Sequence, residues 1–192
     1  MADTPVAGDL EAPFRFEYAP ATLRYAPDAV RSLGTELDEQ GYDRALVVCG
    51  TTVGETPAVM DPVRDGLGDR LAGVFAETTP AKRLGTAYDG LERFREADAD
   101  CLVAVGGGSS LDVAKIISIL AATDRDPTAV GTAFADSGTI AVPEAALPPI
   151  IAVPTTLAGA DLSIVAGVTA APDTCPVDEP ASGGVRGPEL MP

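Results

Sequence analysis

A chain of 192 residues suits one domain, or one domain and part of another, and can bury a substantial core. Its 29 acidic residues against 13 basic ones give a formal net charge of −16, which argues against nucleic acid or an anionic membrane surface as a partner. With no histidine and only three dispersed cysteines, it offers neither a disulfide framework nor a zinc site, so a reducing cytoplasm is the expected location.

Apolar patterning predicts strands and helices in alternation along most of the chain. Short apolar runs are typical of strands buried in a parallel sheet, and apolar residues spaced three and four apart indicate helices with one buried face. Predicted strands lie at 14–20, 44–50, 71–77, 101–105 and 149–156, and predicted helices at 26–41, 55–68 (broken), 83–98 and 109–123.

Because these strands and helices alternate with short links, we expect an α/β fold, a Rossmann-like parallel sheet with helices on both faces, over residues 1–168. From Thr169 the chain is rich in proline and glycine, so residues 169–192 are expected to form a loop or hairpin. No apolar run of membrane-spanning length and no secretion leader at Met1–Leu10 is apparent, so neither a membrane nor export is expected.

The charge pattern carries a further expectation about the source. Acidic residues are spread along the whole chain, whereas lysine occurs only at Lys82 and Lys115. Dispersed carboxylates with few lysines suit a high-salt cytoplasm, where salt screens repulsion and carboxylates keep the surface hydrated. A halophilic source is therefore favoured over an acidic protein from ordinary conditions.

The sequence GGGSS at 106–110 joins the strand at 101–105 to the next helix. Glycines let the backbone approach a ligand closely, and the first turn of a helix offers unpaired N–H groups and the positive end of its dipole. Ser109 or Ser110 is expected to cap this helix, with Asp112 in its first turn. The pattern predicts a nucleotide diphosphate at Gly106–Ser109; a tight turn that only packs strand against helix is the alternative.

Two motifs give a family resemblance. GGGSSLDVAK at 106–115 resembles the GGGSxxDxAK signature of the iron-containing alcohol dehydrogenases. AVPTTLAGADLS at 152–163 is similar to that family's P-T-T-x-G-T-G-S-E segment, in a variation nearer the maleylacetate reductase branch. The resemblance covers about residues 14–192 and implies a Rossmann-like domain that binds NAD or NADP. The implied activity is hydride transfer between the nicotinamide and a small alcohol or carbonyl substrate.

The resemblance also implies which residues meet the cofactor. The glycine run with Ser109 would hold the pyrophosphate, Asp112 would lie near the nicotinamide half, and the turn after the strand at 44–50 would lie near the adenosine ribose. The implied cofactor-binding residues are Gly50, Thr51, Gly106, Gly107, Gly108, Ser109, Asp112, Lys115, Thr155, Thr156 and Leu157.

Each of these assignments has a structural alternative. Asp112 could simply stabilise a helix N-terminus, Lys115 could be a solvated surface residue, and Thr155 and Thr156 could cap a turn. At the ribose end, VVCGTT carries no carboxylate that would repel a 2′-phosphate, so NADP is expected to be tolerated at least as well as NAD.

The family's metal, iron or zinc, is held by an aspartate and three histidines in a helical domain that follows the region matched here. This sequence has no histidine, and Asp161 alone is no site, so the chain is expected to contribute no metal ligand and no catalytic residue. We expect the cofactor-binding half of such an enzyme, with the substrate bound through the missing domain and a homo-oligomer possible. A non-catalytic nucleotide-binding module and a sugar- or nucleotide-phosphate binding protein are the alternatives.

Overall fold

The structure is a computed structural model that describes residues 14–18, 21–123, 125–173, 175 and 177–192. Positions 19–20 of the first predicted strand and the segment Met1–Leu10 lie outside the described residues. The strands are β1 (Phe14–Tyr18), β2 (Ala21–Tyr25), β3 (Ala45–Val48), β4 (Leu71–Phe75), β5 (Cys101–Gly106), β6 (Ile150–Pro154), β7 (Val165–Ala170) and β8 (Ala181–Arg186). The helices are α1 (Leu33–Gln40), α2 (Thr51–Gly54), α3 (Pro57–Leu67), α4 (Leu84–Glu96), α5 (Gly108–Ala121) and α6 (Pro127–Ser137).

Four strands form a parallel sheet in the order β4-β3-β5-β6. Val47 of β3 stands opposite Val103 of β5, which in turn stands opposite Ile151 of β6. Because side chains alternate across a strand, one set of residues from these strands faces each side of the sheet. The parallel α/β fold predicted from the alternating pattern is confirmed.

Helices cover both faces of this sheet. On one face, Leu46 and Leu102 pack into a core with α4, α5 and α6, and on the other, Val47 and Val103 pack with α1 and α3. Each of these four side chains is fully buried, and full burial of a valine or leucine contributes roughly 1.5–3 kcal/mol. Packing on both faces holds the carboxyl ends of the strands in place beside the start of α5, which follows β5 directly.

Several elements differ from the sequence prediction. The helix expected at 26–41 begins as a 3-10 turn and becomes α-helical only at Leu33; it ends, as expected, before Gly41, whose φ is 80°. The broken helix at 55–68 is α3, preceded by the short α2, and Pro62 lies inside α3 without ending it. The prediction missed β2 and α6, although Asp126 caps α6 by accepting from the amide of Thr128 at 2.8 Å.

The last two strands form an antiparallel hairpin that joins the α5-side core through Ala166, Val168 and Val185. Its backbone is also tied to the turn before α4, because the amide of Thr169 donates to the carbonyl of Lys82 at 3.0 Å. Strand β7 runs across position 168; the domain boundary placed there and the helical domain beyond residue 192 stay predictions. Among the described residues, no helix combines the length and apolar character that crossing a bilayer requires.

Candidate functional site

The predicted site residues gather at the carboxyl edge of the sheet, where β3, β5 and β6 end. The amide of Thr155, just after β6, donates to the carbonyl of Gly106 at the end of β5 over 2.9 Å. Thr156 lies against Gly107, where a Cβ would come within 3.3 Å of its side chain. The fold therefore brings together two motifs that lie about 45 residues apart in the sequence.

Gly106 must be glycine for the fold itself. Its φ is 142°, and a Cβ there would stand 2.7 Å from the hydroxyl oxygen of Ser110. Ser110 in turn shares a 2.9 Å hydrogen bond with the hydroxyl of Thr78, a buried residue beyond β4. The sequence prediction that Ser109 or Ser110 caps the helix is wrong: α5 starts at Gly108, its N-cap is Gly107, and no side chain caps it.

Gly108 is different, because the surrounding protein leaves room for a side chain. A Cβ there would lie 3.6 Å from Ala158 and 3.7 Å from Ala160, which are ordinary van der Waals contacts. The amides of Ser110 and Leu111 donate to the carbonyl of Gly107. The amides of Gly108 and Ser109 come before them, and the first amides of a helix have no acceptor within the helix. A glycine with room beside it at the positive end of a 14-residue helix fits an anionic group such as a phosphate.

Asp112 is the fifth residue of α5, so it lies in the second turn and not in the first as predicted. One carboxylate oxygen, Oδ2, accepts from the ammonium of Lys82 at 2.8 Å and from the backbone amide of Gly167 at 3.1 Å. The structure therefore contradicts the alternative in which Asp112 only stabilises the N-terminus of the helix. Asp112 instead links α5 to β7 and to the turn before α4.

Lys115 is fully buried, so the alternative of a solvated surface lysine is wrong. Its ammonium donates to the carbonyls of Ala160 at 2.7 Å, Ser163 at 2.5 Å and Val165 at 3.4 Å. Burial lowers the pKa of Lys115, while the nearby charge of Asp112, and that of Asp161, act in the opposite direction. Its assignment to the cofactor stays a prediction, but three protein carbonyls already take its hydrogen bonds.

The segment after β6 forms an open groove of about 380 Å³. Thr155 and Thr156 are exposed, and Leu157 is fully exposed, so all three side chains are accessible to a ligand in this groove. The lining residues are Pro154, Thr155, Thr156, Leu157, Gly159, Asp161 and Leu162.

At the other end of the edge, Gly50 and Thr51 lie where β3 passes into α2. Thr51 donates its hydroxyl to the carbonyl of Ala76 at 2.9 Å, which leaves its oxygen lone pairs available to accept a further bond. The loop that follows β4 lies beside this turn, because a Cβ on Gly50 would stand 3.1 Å from the carbonyl of Thr78.

Sequence reasoning missed two residues of this region, Thr78 and Lys82. Both come from the loop between β4 and α4, which carries no recognised motif. The one available signal was composition: lysine occurs at only two positions, and both side chains interact with Asp112 or with the segment after β6.

The described residues contain no group of three or more cysteine, aspartate or glutamate side chains arranged to hold a metal ion. Cys49, Cys101 and Cys175 are buried and free, and burial raises the pKa of each thiol. The side chains of the described part therefore do not fit a transition-metal site.

The sequence model of the iron-containing alcohol dehydrogenases matches residues 20–181. A maleylacetate reductase of Burkholderia cepacia is 30% identical over 156 residues, 81% of this chain and 36% of that protein. An NAD-dependent methanol dehydrogenase of Bacillus methanolicus is 32% identical over 97 residues, 49% of this chain and 25% of that protein. The crystal structure of maleylacetate reductase from Agrobacterium tumefaciens superposes with a TM-score of 0.65 at 26% identity, covering 94% of this chain and 41% of that one. The chain thus spans well under half the length of these relatives.

Proposed function

The chain belongs to the iron-containing alcohol dehydrogenase family, and on that premise we propose that it binds the pyrophosphate of NAD or NADP against Gly106–Ser109. The activity proposed for the whole enzyme is hydride transfer between the nicotinamide and a small alcohol or carbonyl substrate. The nicotinamide ring supplies the hydride chemistry when it is bound, and the residues of this chain bind and orient the cofactor.

The observation that carries this proposal is the room beside Gly108. Gly106 lacks a side chain because its own backbone and Ser110 forbid one, but no such constraint from the described residues applies at Gly108. The free space lies at the first amides of α5, where unpaired N–H groups and the helix dipole favour a negative charge. A diphosphate is the ligand that uses both features at once.

The remaining assignments follow from where the residues lie along the edge. Asp112 would orient the nicotinamide half through the carboxylate oxygen that Lys82 and Gly167 leave open. Thr155 and Thr156 would line the groove beside the cofactor, with Leu157 packing close by. These positions suit an extended dinucleotide laid across the edge of the sheet.

Gly50 and Thr51 would meet the adenosine ribose at the opposite end. No carboxylate occupies positions 50–52, so nothing there would repel a 2′-phosphate. We therefore expect NADP to be accepted at least as well as NAD.

The residues of this chain are not proposed to hold the family's metal, because the described side chains do not fit one and the sequence has no histidine. The relatives compared above act on different compounds, maleylacetate and methanol. We therefore propose only a class of substrate, a small alcohol or carbonyl compound. Parts of the family fold outside the matched region would help to bind it. Self-association of the chain likewise stays a prediction.

The test is a fluorescence titration of the 192-residue chain with NADH and NADPH, using Gly108→Ala as the variant. The added methyl group meets only ordinary contacts within the protein, so folding is retained, but it occupies the space of the phosphate. We expect the Kd to rise about tenfold or more, which corresponds to about 1.4 kcal/mol. Thr132→Ala, an exposed position on α6, is the control and leaves the Kd unchanged.

The same titration separates the alternatives. ADP and glucose 6-phosphate serve as competing ligands that share the phosphate but lack the nicotinamide. If either binds as well as NADPH and Gly108→Ala weakens all of them equally, the chain is a general phosphate-binding module. If neither nicotinamide nucleotide binds, the proposed function is wrong.

A further inference from the structure

A buried lysine whose partners are all backbone carbonyls is the least expected feature of the molecule. Lys115 lies in the middle of α5, is fully buried, and ranks among the largest fully buried side chains of the described part of the chain. Burying an ammonium is expensive unless every one of its hydrogen bonds is satisfied. The protein keeps a lysine here although nearly all its other basic residues are arginines.

The geometry explains the choice of lysine. An ammonium has three N–H donors, and Lys115 directs them to three carbonyls within six residues, at Ala160, Ser163 and Val165. A guanidinium is planar, carries five donors and is larger, so it cannot reproduce this compact arrangement. The carbonyls of Ala160 and Ser163 lie in an irregular stretch that contains one 3-10 turn at Ala160–Leu162, and the carbonyl of Val165 belongs to the first residue of β7.

We call residues 158–165, which carry these three carbonyls, the wall segment. It forms the side of the glycine loop: Ala158 and Ala160 stand 3.6 and 3.7 Å from where a Cβ of Gly108 would be. The wall segment begins three residues after Thr155, whose backbone amide donates to the carbonyl of Gly106 at 2.9 Å. The position of the wall segment therefore sets how much room lies beside Gly108.

We infer that the protonated ammonium of Lys115 is a positioning group that holds the wall segment against α5 and so sets the width of the phosphate site, without contacting the cofactor. Contact with the cofactor would require a free donor, and all three are taken by carbonyls of the wall segment. The consequence for cofactor binding rests on the proposed function, whereas the ordering of the wall segment does not.

Replacing Lys115 by methionine separates positioning from general stability. Methionine is close in length and apolar, so it fills the core without the penalty of a buried charge, and such replacements are often neutral or stabilising. The three carbonyls lose the ammonium as a donor and keep at most the weak contacts from Ser163, whose amide and hydroxyl lie 3.4 Å from the carbonyls of Ala160 and Val165. Ala160, Ser163 and Val165 are all at least partly exposed, so their carbonyls find water if the segment moves outward. The expected result is a stable protein with a loosened wall segment.

The first measurement is hydrogen–deuterium exchange of the 192-residue chain without ligand. Lys115→Met is expected to raise exchange in peptides covering residues 160–165 at least tenfold, while β3 and β5 keep wild-type protection. Ile117→Val is the matched control, since Ile117 is fully buried on α5 and faces Gly90 of α4. It lowers overall stability without selectively opening the wall segment. Unchanged exchange over 160–165 in Lys115→Met overturns the inference.

A second measurement depends on the charge of Lys115 and not on how its side chain packs. The charged groups that act on Lys115 are Asp112 on the same helix and Asp161 in the wall segment, with Lys82 bound to Asp112. Protection of 160–165, corrected for intrinsic exchange, should therefore fall in the wild type as the pH rises and the ammonium loses its proton. In Lys115→Met it should not change with pH, and a parallel fall in both proteins counts against the inference.

Titration with NADPH links the segment to binding. The Kd of Lys115→Met is expected to rise about tenfold with no loss of global stability, and Lys115→Arg is not expected to restore it. If the wild type binds no nicotinamide nucleotide but Lys115→Met still opens the wall segment, the proposed function fails and the positioning role stands. If the wild type binds and Lys115→Met binds equally well, the positioning role fails and the proposed function stands.

Discussion

The ammonium of Lys82 donates a 2.8 Å hydrogen bond to Oδ2 of Asp112, and that same oxygen accepts the backbone amide of Gly167 at 3.1 Å. Three segments far apart in the chain therefore meet at one carboxylate: the turn before α4, the second turn of α5, and β7. The side chain of Asp112 is 10% exposed, whereas that of Lys82 is 34% exposed. The two partners are thus held at very different depths, and they should respond differently to substitution.

Asp112→Ala is expected to destabilise the protein by roughly 1–3 kcal/mol, because it leaves the amide of Gly167 without its acceptor in a poorly solvated position. Lys82→Met is expected to lower stability by at most about 1 kcal/mol, since water partly screens and replaces that contact. Urea unfolding at pH 7 measures both. Equal losses in the two variants would mean that the ion pair, and not the bond to β7, carries the effect.

The same Gly→Ala change should act differently at two positions of the glycine loop. Gly106→Ala forces an alanine into a φ of 142° and toward the hydroxyl of Ser110, so we expect a loss of about 1–3 kcal/mol. Gly108→Ala meets only ordinary contacts and begins a helix, so no loss is expected. Thermal and urea unfolding of the pair provide the check, and comparable losses at both sites would show that Gly108 too is required by packing.

Stability should decline above about pH 9. Burial raises the pKa of the Cys49, Cys101 and Cys175 thiols above the ordinary value of 9.0, so above that pH the unfolded chain loses protons that the folded chain keeps. Stability contributed by each thiol is fully present below pH 9 and falls as the pH rises, by up to about 1.4 kcal/mol per pH unit.

Cys101→Ala should therefore give a shallower decline than the wild type in urea unfolding between pH 8 and 10.5 under reducing conditions. Lys115 has the opposite effect, so that its contribution to stability rises with pH. Its pKa is lowered in the folded chain, and the unfolded chain binds the proton more strongly. That contribution is common to both proteins and cancels in the difference. Identical slopes for the two proteins would refute the prediction.

A carboxylate placed at the ribose end should change the preference between the two nucleotides. Gly50→Asp is expected to weaken NADPH binding about tenfold or more relative to NADH, since the new charge repels the 2′-phosphate. Gly50→Ala is the matched control for the close approach of 3.1 Å to the carbonyl of Thr78. Wild-type binding of NADPH tenfold weaker than NADH would contradict the premise that this site tolerates the phosphate.

Salt should stabilise the folded chain. With a net charge of −16, and with many of the arginines already paired to carboxylates, the remaining acidic residues repel one another when the chain is compact. Raising NaCl from 0.1 to 1 M is expected to increase the free energy of unfolding by on the order of 1 kcal/mol. A decrease, or self-association that worsens with salt, would speak against adaptation to a high-salt cytoplasm.

The sequence by itself predicted the four strands of the parallel sheet and the covering helices α1, α3, α4 and α5, but not α6. The continuous apolar run RALVVCG at 44–50 predicts a strand buried on both faces, and the apolar spacing of three and four in the helix at 83–98 predicts burial of one face. The run GGGSS marks the junction of strand and helix because no other residue type serves a φ of 142° at Gly106.

Only the tertiary structure decided what the polar side chains of the site do. Lys115 reaches carbonyls 45 to 50 residues later in the chain, and Asp112 meets donors 30 residues before it and 55 after it. No local spacing encodes such contacts, since they arise when separate segments are packed against one helix. A buried ammonium and a solvated one are identical in sequence, and they differ only in the acceptors that the fold brings to them.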